Sequence, residues 1–349
     1  MISNNPTLQK FGRLACVDSG AVPGITTYTT LVMIHGFGWH TGFRRLLPLA
    51  AKYQVRVVFV NRPDFPGSAQ YRPEERAQYS GAPEQAPALI DQFMRGRAHD
   101  LLDFLAAFIK EESIPKKDGG RGGVILSAWS FGCTWLTAFL AHAPTFAGKL
   151  DLTEYLQRGV LYDPPALALG FPFPAKSYSP LGDEAIHPTD RAVAFARWVS
   201  GYFTHGDTEE SLSLRTPDTD RTPTIQTMTD DEVAVFFSPG PAGPGGSDSA
   251  LLMQGLTSGV NARNFERTVF HDAEANNLSQ LQWLAIPLRY LWCDRSDYEM
   301  PWCKWRLEEY LEKGRSSGRR MRSVSIACLE GANHFVSLVI SPMLRDCSD

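Results

Sequence analysis

Ser130 is the residue of this chain whose surroundings point most clearly to nucleophilic chemistry. It lies in Ala128-Trp129-Ser130-Phe131-Gly132, between the apolar run 124–126 and an apolar segment that is typical of a helix. A sharp strand-to-helix turn holds a serine hydroxyl clear of the sheet, and it needs small neighbours because strand and helix nearly touch there. The pattern therefore predicts a nucleophile elbow at Ser130; the alternative is a turn serine that caps the following helix.

Strand-like and helix-like segments alternate around this turn, and they have to position any partner of the serine. Apolar and β-branched runs predict strands at 28–36, 54–63, 123–128, 158–165, 286–294 and 322–331. Apolar residues at helical spacing predict helices at 43–53, 97–112, from about 131 onward, and at 303–314. The alternation predicts an α/β fold with a mostly parallel central sheet flanked by helices.

The segment 166–282 has a different composition, rich in Pro, Gly, Thr and Asp. Within it, apolar spacing predicts helices at 190–203 and 249–270, and residues 229–232 fit a capping box that begins a third. The run 238–249 is rich in Gly and Pro and is predicted to be a mobile loop. We therefore predict a core domain of residues 1–165 and 283–349, with residues 166–282 inserted as a helical lid over the edge of the sheet.

Composition excludes several other classes of protein. A net charge of -4 over 349 residues provides no basic surface for nucleic acid. The chain has no apolar run long enough for a membrane span, and its first residues lack the features of a signal peptide, so we expect a cytoplasmic protein. Six cysteines without a Cys-x-x-Cys pair are expected to be reduced thiols. We see no metal-ligand spacing, and the oligomeric state stays open.

A second motif makes the fold more specific. His35-Gly36-Phe37-Gly38 stands at the end of the predicted strand 28–36. Together with the elbow, in which Ala128 replaces the usual first glycine, it resembles the α/β-hydrolase fold superfamily and, within it, the lidded esterase and lipase-like group. Residues 61–69 resemble the Asp-x-Pro-Gly-x-Gly-x-Ser turn of that group, although the second glycine is missing. The resemblance covers about residues 12–165 and 283–340.

The resemblance also implies the functional residues. The backbone N–H groups of Phe37 and Phe131 are the expected oxyanion hole, and His35 is expected to anchor the loop. His334 follows the last predicted strand and a glycine, as the catalytic histidine of the family does. The remaining histidines in predicted helices or in the lid are expected to be structural or at the surface: His99, His142, His187, His205 and His271.

Three aspartates are candidates for the acid of this set. In the sequence LWCDRSDYEMPW, Asp297 aligns with the acid of the family, and Cys293 replaces the usual glycine. Asp294 and Asp163, the latter at the end of the strand 158–165, are alternative acids. Each of the three could instead be a turn aspartate that bonds its own backbone. The preferred order is Ser130, Asp297 and His334.

These residues predict a serine hydrolase that cleaves a medium-sized, fairly hydrophobic carboxylic ester, lactone or thioester without a cofactor. Trp39, His40 and Trp129, with the aromatic stretches 167–178 and 195–203, are predicted to line the pocket, although such stretches are also typical of a packed core. The same triad could serve C–C bond hydrolysis or a cofactor-free lyase, and a non-catalytic ligand-binding relative is a third reading. A serine at the elbow argues against epoxide hydrolase and dehalogenase chemistry, which need a carboxylate nucleophile.

Overall fold

An eight-stranded sheet runs through the centre of the protein in the order β1-β2-β4-β3-β5-β6-β7-β8. The computed structural model describes residues 7–40, 46–80, 86–146, 150–270 and 278–335. Strands β1 and β2 are antiparallel to their neighbours, and β3 to β8 run parallel. The strands are β1 (Gln9–Phe11), β2 (Leu14–Asp18), β3 (Thr29–Ile34), β4 (Val55–Asn61), β5 (Val124–Trp129), β6 (Leu156–Tyr162), β7 (Leu288–Cys293) and β8 (Val324–Leu329).

The predicted α/β fold class is confirmed, and each of the six predicted strands is present within a few residues of its expected bounds. The antiparallel strands β1 and β2 were not predicted. Both are short, at three and five residues, so neither gives the long apolar run that identifies a buried strand.

Helices pack on both faces of the sheet and leave two hydrophobic cores. One core lies between the sheet and the two helices that flank the elbow, and the other lies under the first helix of the chain. The helices before β6 are α1 (Leu47–Tyr53), α2 (Pro73–Tyr79), α3 (Ala86–Glu111) and α4 (Cys133–His142), and α12 (Glu299–Ser316) follows β7. Helix α3 begins eleven residues before the predicted one, since its first turns are less apolar than its last.

Between β6 and β7 the chain forms seven further helices within the described residues: α5 (Ala166–Leu169), α6 (Arg191–Val199), α7 (Asp230–Phe236), α8 (Pro239–Ala242), α9 (Ser247–Thr257), α10 (Val260–Val269) and α11 (Leu278–Leu284). The capping box at the start of α7 is present, because Thr229 and Glu232 exchange hydrogen bonds. The predicted helix 249–270 is two helices, broken at Gly259, whose φ of 67° ends the helical path.

Two parts of this inserted segment lie in different places. Helix α10 packs along the core helix α4, and the Thr268 hydroxyl donates to the carbonyl oxygen of Thr137. Residues before, within and after α6, together with residues of α9, lie instead at the carboxyl ends of the parallel strands. The run 238–249, predicted to be a mobile loop, contains α8 and the first turn of α9. Within the described ranges, no helix is both long and apolar enough to cross a bilayer.

Candidate active site

The turn that carries Ser130 is held in an unusual backbone conformation by close packing. Ser130 has a φ of 54° and begins a single 3-10 turn, Ser130–Gly132, between β5 and α4. A side chain at Gly132 would overlap the carbonyl oxygen of His35, and one at Gly36 would come within 3.0 Å of the Ser130 Cβ. Only small residues let the end of β3 approach this turn, so the spacing of glycines in both motifs has a steric cause.

Ser130 is the first member of a chain of hydrogen bonds. His334 Nε2 lies 2.9 Å from Ser130 Oγ, and His334 Nδ1 lies 2.7 Å from Asp163 Oδ2. His334 is buried, with 4% of its surface exposed, and Asp163 is completely buried. Because the Asp163 carboxylate accepts from Nδ1, the proton of a neutral imidazole sits on Nδ1 and leaves Nε2 free to accept the serine proton.

Strand register explains why Asp163 can reach this histidine. Trp129, the last residue of β5, pairs with Tyr162, the last residue of β6, so Ser130 and Asp163 leave neighbouring strands at the same level. Asp163 also has a positive φ, 48°, which turns its side chain back over the sheet edge. His334 arrives from the loop after β8, and the Trp129 indole N–H donates to its carbonyl oxygen at 2.9 Å.

The carboxylate that bonds to His334 is that of Asp163 and not that of Asp297, the acid preferred from the sequence. Asp163 Oδ1 accepts the Cys293 N–H at 2.8 Å, and Oδ2 accepts the Ser296 hydroxyl at 2.8 Å in addition to His334. These donors compensate the burial of the Asp163 charge and fix its orientation. Asp297 Oδ1 instead accepts the backbone N–H of Glu299, the first residue of α12.

Asp294, the other alternative acid, is also occupied elsewhere. Its Oδ1 accepts the Gly331 N–H at 2.7 Å and so joins the loop after β7 to the loop after β8. This bond holds the segment that leads to His334, and it leaves Asp294 a structural role.

Phe37 and Phe131, the residues expected to supply the oxyanion donors, lie close together beside the serine. The rings of Phe37 and Phe131 are 6.1 Å apart, and both residues line the same cavity as Ser130 and His334. His35 anchors the loop that carries Phe37: its Nδ1 donates to the Gly36 carbonyl oxygen, and its Nε2 accepts the Arg62 N–H at 3.0 Å. Burial and the nearby Arg62 charge lower the pKa of His35 well below its usual value, which keeps the ring neutral for both bonds.

A buried ion pair clamps the loop on both sides of Phe37. Arg62 donates from both terminal nitrogens to Asp248, at 2.7 and 2.8 Å, and both side chains are almost fully buried. Arg62 Nη2 also donates to the Gly36 carbonyl oxygen at 2.8 Å, and Asp248 Oδ2 accepts the Gly38 N–H at 2.9 Å. Asp248 belongs to α9, so the inserted segment and the loop after β3 share one buried bidentate contact.

A cavity of about 590 Å³ opens beside the Ser130 hydroxyl. Aromatic residues of the stretches 167–178 and 195–203 form much of its wall: Phe173, Tyr178, Phe195 and Trp198. Asp297, Tyr298 and Glu299 from the start of α12 also line it, as do Asp183 and Arg215. The volume suits a small organic molecule.

Trp39, His40 and Trp129, which were predicted to bind substrate, are not among the described residues that line this cavity. Trp39 packs on Phe237 and Phe335 in the core below α1 and α7. The His40 backbone N–H donates to Phe236 in α7, and the Trp129 ring supports the His334 imidazole from behind at 5.2 Å between centroids. All three are buried aromatic side chains near the site, and sequence proximity to the motifs could not show which face they take.

Some functional neighbours carried no signal in the sequence. Contacts between segments as many as 186 residues apart bring these neighbours to the site: Ser296, Glu299 and the Arg62–Asp248 pair. His271 lies outside the described residues, as does Cys347. The part of the chain that the structure describes has no group of three or more His, Cys, Asp or Glu side chains placed to hold a metal ion.

Comparison with known proteins agrees with this arrangement. The sequence profile of the Alpha/beta hydrolase family matches residues 31–344, nearly the whole chain. The chain belongs to this family. The match spans the elbow, Asp163, His334 and the inserted segment, and it supports a hydrolase.

Several solved structures of low sequence identity are similar to this chain. A bromoperoxidase from Bacillus anthracis is 16% identical, with a TM-score of 0.50 over 98% of this chain and 100% of its own. Cfl2 from Burkholderia cenocepacia is 17% identical, with a TM-score of 0.49 over 98% of this chain and 94% of its own. Epoxide hydrolase VrEH1 from Vigna radiata is 12% identical, with a TM-score of 0.43 over 98% of this chain and 95% of its own. No curated protein sequence is significantly similar to this chain.

Removing Asp248, the half of the clamp that belongs to α9, tests how much the clamp contributes to stability. Asp248→Ala should lower the free energy of unfolding by about 3–5 kcal/mol, because it leaves the buried Arg62 guanidinium without its carboxylate. The measurement is denaturant unfolding of the variant and the parent protein. Glu312→Ala, which removes one partner of an exposed pair with Arg315, is the control and should cost less than about 1 kcal/mol. Equal losses for the two variants would contradict the clamp.

Proposed function

We propose that the protein is a serine hydrolase that cleaves a carboxylic ester, lactone or thioester through an acyl-enzyme on Ser130. The observation that carries the proposal is the continuous hydrogen-bond chain from Ser130 Oγ through His334 to Asp163. The nucleophile is placed on a strained turn at the mouth of a cavity, and its base is already oriented by a buried carboxylate. These are the features that acyl transfer by serine requires.

The first half of the reaction forms the acyl-enzyme. His334 Nε2 accepts the Ser130 proton as Oγ attacks the substrate carbonyl, and a tetrahedral oxyanion results. The imidazolium then donates that proton to the departing alcohol or thiol. Asp163 keeps the Nδ1–H tautomer in place and stabilises the positive imidazolium without taking its proton. In the second half, His334 takes a proton from water as the water oxygen attacks the acyl carbon. The bond to Ser130 Oγ then breaks, the imidazolium returns the proton to Oγ, and the carboxylic acid leaves.

Stabilisation of the oxyanion falls to the backbone N–H groups of Phe37 and Phe131. Both residues line the cavity with Ser130, which supports this role. The Arg62–Asp248 clamp bonds the Gly36 carbonyl oxygen and the Gly38 N–H, and so restrains the backbone on either side of Phe37. Donors that are fixed before charge develops contribute most, because no reorganisation is needed at the transition state.

The inserted segment is proposed to act as the lid of the cavity. Phe195 and Trp198 of α6 and Leu252 and Leu256 of α9 face the catalytic serine across the cavity. Their apolar character supports a medium-sized substrate with a substantial hydrophobic part. Serine at the nucleophile position supports acyl transfer over the carboxylate-based chemistry of epoxide hydrolases and dehalogenases.

Covalent labelling tests the nucleophile. A fluorophosphonate probe should modify the parent protein at Ser130 and leave Ser130→Ala unmodified, as read by mass spectrometry of the labelled peptide. Ser177→Ala removes another serine that lines the cavity and should be labelled like the parent. A parent protein that does not react favours a ligand-binding relative. Labelling without turnover of any p-nitrophenyl ester favours a lyase or C–C hydrolase.

Paired asparagine variants test the identity of the acid. Asp163→Asn should lower kcat for a neutral p-nitrophenyl ester by about a thousandfold or more, because the amide cannot hold the Nδ1–H tautomer or stabilise the imidazolium. Asp297→Asn should lower kcat by less than about tenfold, because that side chain does not bond to His334. Thermal unfolding of both variants controls for misfolding. The larger loss in Asp297→Asn would make Asp297 the acid.

A further inference from the structure

Two carboxyl groups in the cavity form no ion pair with a Lys or Arg side chain among the described residues, and neither takes part in the proposed mechanism. Asp297 is 3% exposed and Glu299 is half-buried, and both line the cavity with Ser130. Asp297 uses Oδ1 to accept the Glu299 N–H, and Glu299 uses Oε2 to accept the Ala166 N–H at 2.9 Å. No other described residue donates a hydrogen bond to either carboxyl group.

Buried carboxylates are normally paired with a cation, because desolvation of an isolated charge is costly. Here burial raises the pKa of Asp297 to about 6 and, with the Asp297 charge as a further cause, that of Glu299 to about 8. Such shifts are the expected response of two neighbouring carboxyl groups that lack a positive partner. A bound cation would supply that partner.

The other charged groups of the cavity do not supply a positive partner to Asp297 and Glu299. Arg215 Nη1 lies 3.4 Å from Asp183 Oδ2, and the guanidinium group lies over the Tyr178 ring. The Arg215 charge is therefore paired with Asp183. Glu184 at the cavity wall adds a further negative charge. Among the lining residues that the structure describes, four carboxyl groups therefore face one guanidinium.

An aromatic wall stands beside the two carboxyl groups. The Trp198 ring lies 5.9 Å from Tyr178 and 6.1 Å from Tyr298, and the Tyr298 hydroxyl accepts the Tyr178 N–H. Tyr298 lies between Asp297 and Glu299 in the chain. Aromatic faces attract cations, and they attract weakly hydrated ammonium groups with apolar substituents in particular.

We infer that Asp297 and Glu299 bind a positively charged nitrogen of the substrate, an ammonium or quaternary ammonium group, in the cavity that Ser130 lines. The inference rests on the proposed function and narrows its substrate class to esters that carry a cationic group on a hydrophobic frame. The Trp198 and Tyr298 rings cover the apolar part of that group, and the free carboxyl oxygens face its charge.

Matched pairs of esters test the charge alone. The p-nitrophenyl ester of trimethylammonio-butanoate is compared with its neutral isostere, in which carbon replaces the nitrogen; the butanoates of choline and of its carbon isostere test the alcohol side. We expect kcat/KM to be higher for the cationic member of at least one pair by about tenfold or more, the size of a charge-assisted contact. Equal or lower values for the cationic member in both pairs overturn the inference.

Variants connect any preference to these two residues. Asp297→Asn and Glu299→Gln keep an acceptor for the backbone N–H groups they now bind, and each should reduce the cationic-to-neutral ratio by at least about threefold. Glu308→Gln removes the same charge from the outer face of α12, where Glu308 pairs with Lys304, and should leave the ratio as in the parent. A ratio that is unchanged in both cavity variants overturns the inference.

A binding measurement separates this inference from the proposed function. Calorimetry with butyltrimethylammonium should show binding to the parent protein and weaker binding to Asp297→Asn, whether or not any ester is hydrolysed. Fluorophosphonate labelling and hydrolysis of neutral esters without any effect of charge would leave the serine hydrolase in place and remove the cation site. Ammonium binding by a protein that neither labels nor hydrolyses would keep the cation site and remove the hydrolase.

Discussion

The hydrogen bond between His334 Nδ1 and the Asp163 carboxylate is the contact on which the proposed chemistry depends. Without it, the imidazole has no fixed tautomer, and Ser130 has no base. The bond exists because β5 and β6 end at paired residues and because both following residues, Ser130 and Asp163, adopt positive φ values. Backbone strain of this kind persists only where surrounding contacts determine it, and here the Cys293 N–H and the Ser296 hydroxyl hold the carboxylate.

The oxyanion loop is coupled to the inserted segment by a second buried contact. Arg62 follows β4 and Asp248 belongs to α9, and together they bond the peptide groups on either side of Phe37. The same pair therefore connects the sheet, the loop that carries Phe37 and the inserted segment. A displacement of α9 would have to break a desolvated ion pair, which makes the position of this helix and the geometry of the oxyanion loop interdependent.

Much of the fold and part of the site could be predicted from the sequence, for physical reasons that differ between residues. Buried parallel strands are continuous apolar runs, and the steric demand for Gly132 and Gly36 leaves a readable pattern around Ser130. The aspartate that bonds to His334 could not be identified from such patterns, because an aspartate after β6 and one after β7 look alike in sequence. Strand register and the hydrogen bond of Asp297 to its own helix distinguish them, and both are properties of the folded chain.

The proposed mechanism is tested most directly by a crystal structure of the protein after reaction with a fluorophosphonate. It predicts phosphorus bonded to Ser130 Oγ, a phosphoryl oxygen within hydrogen-bond distance of the Phe37 and Phe131 N–H groups, and His334 Nδ1 still bonded to Asp163. An adduct whose phosphoryl oxygen points away from both amides, or a His334 ring bonded to Asp297 instead, would contradict it.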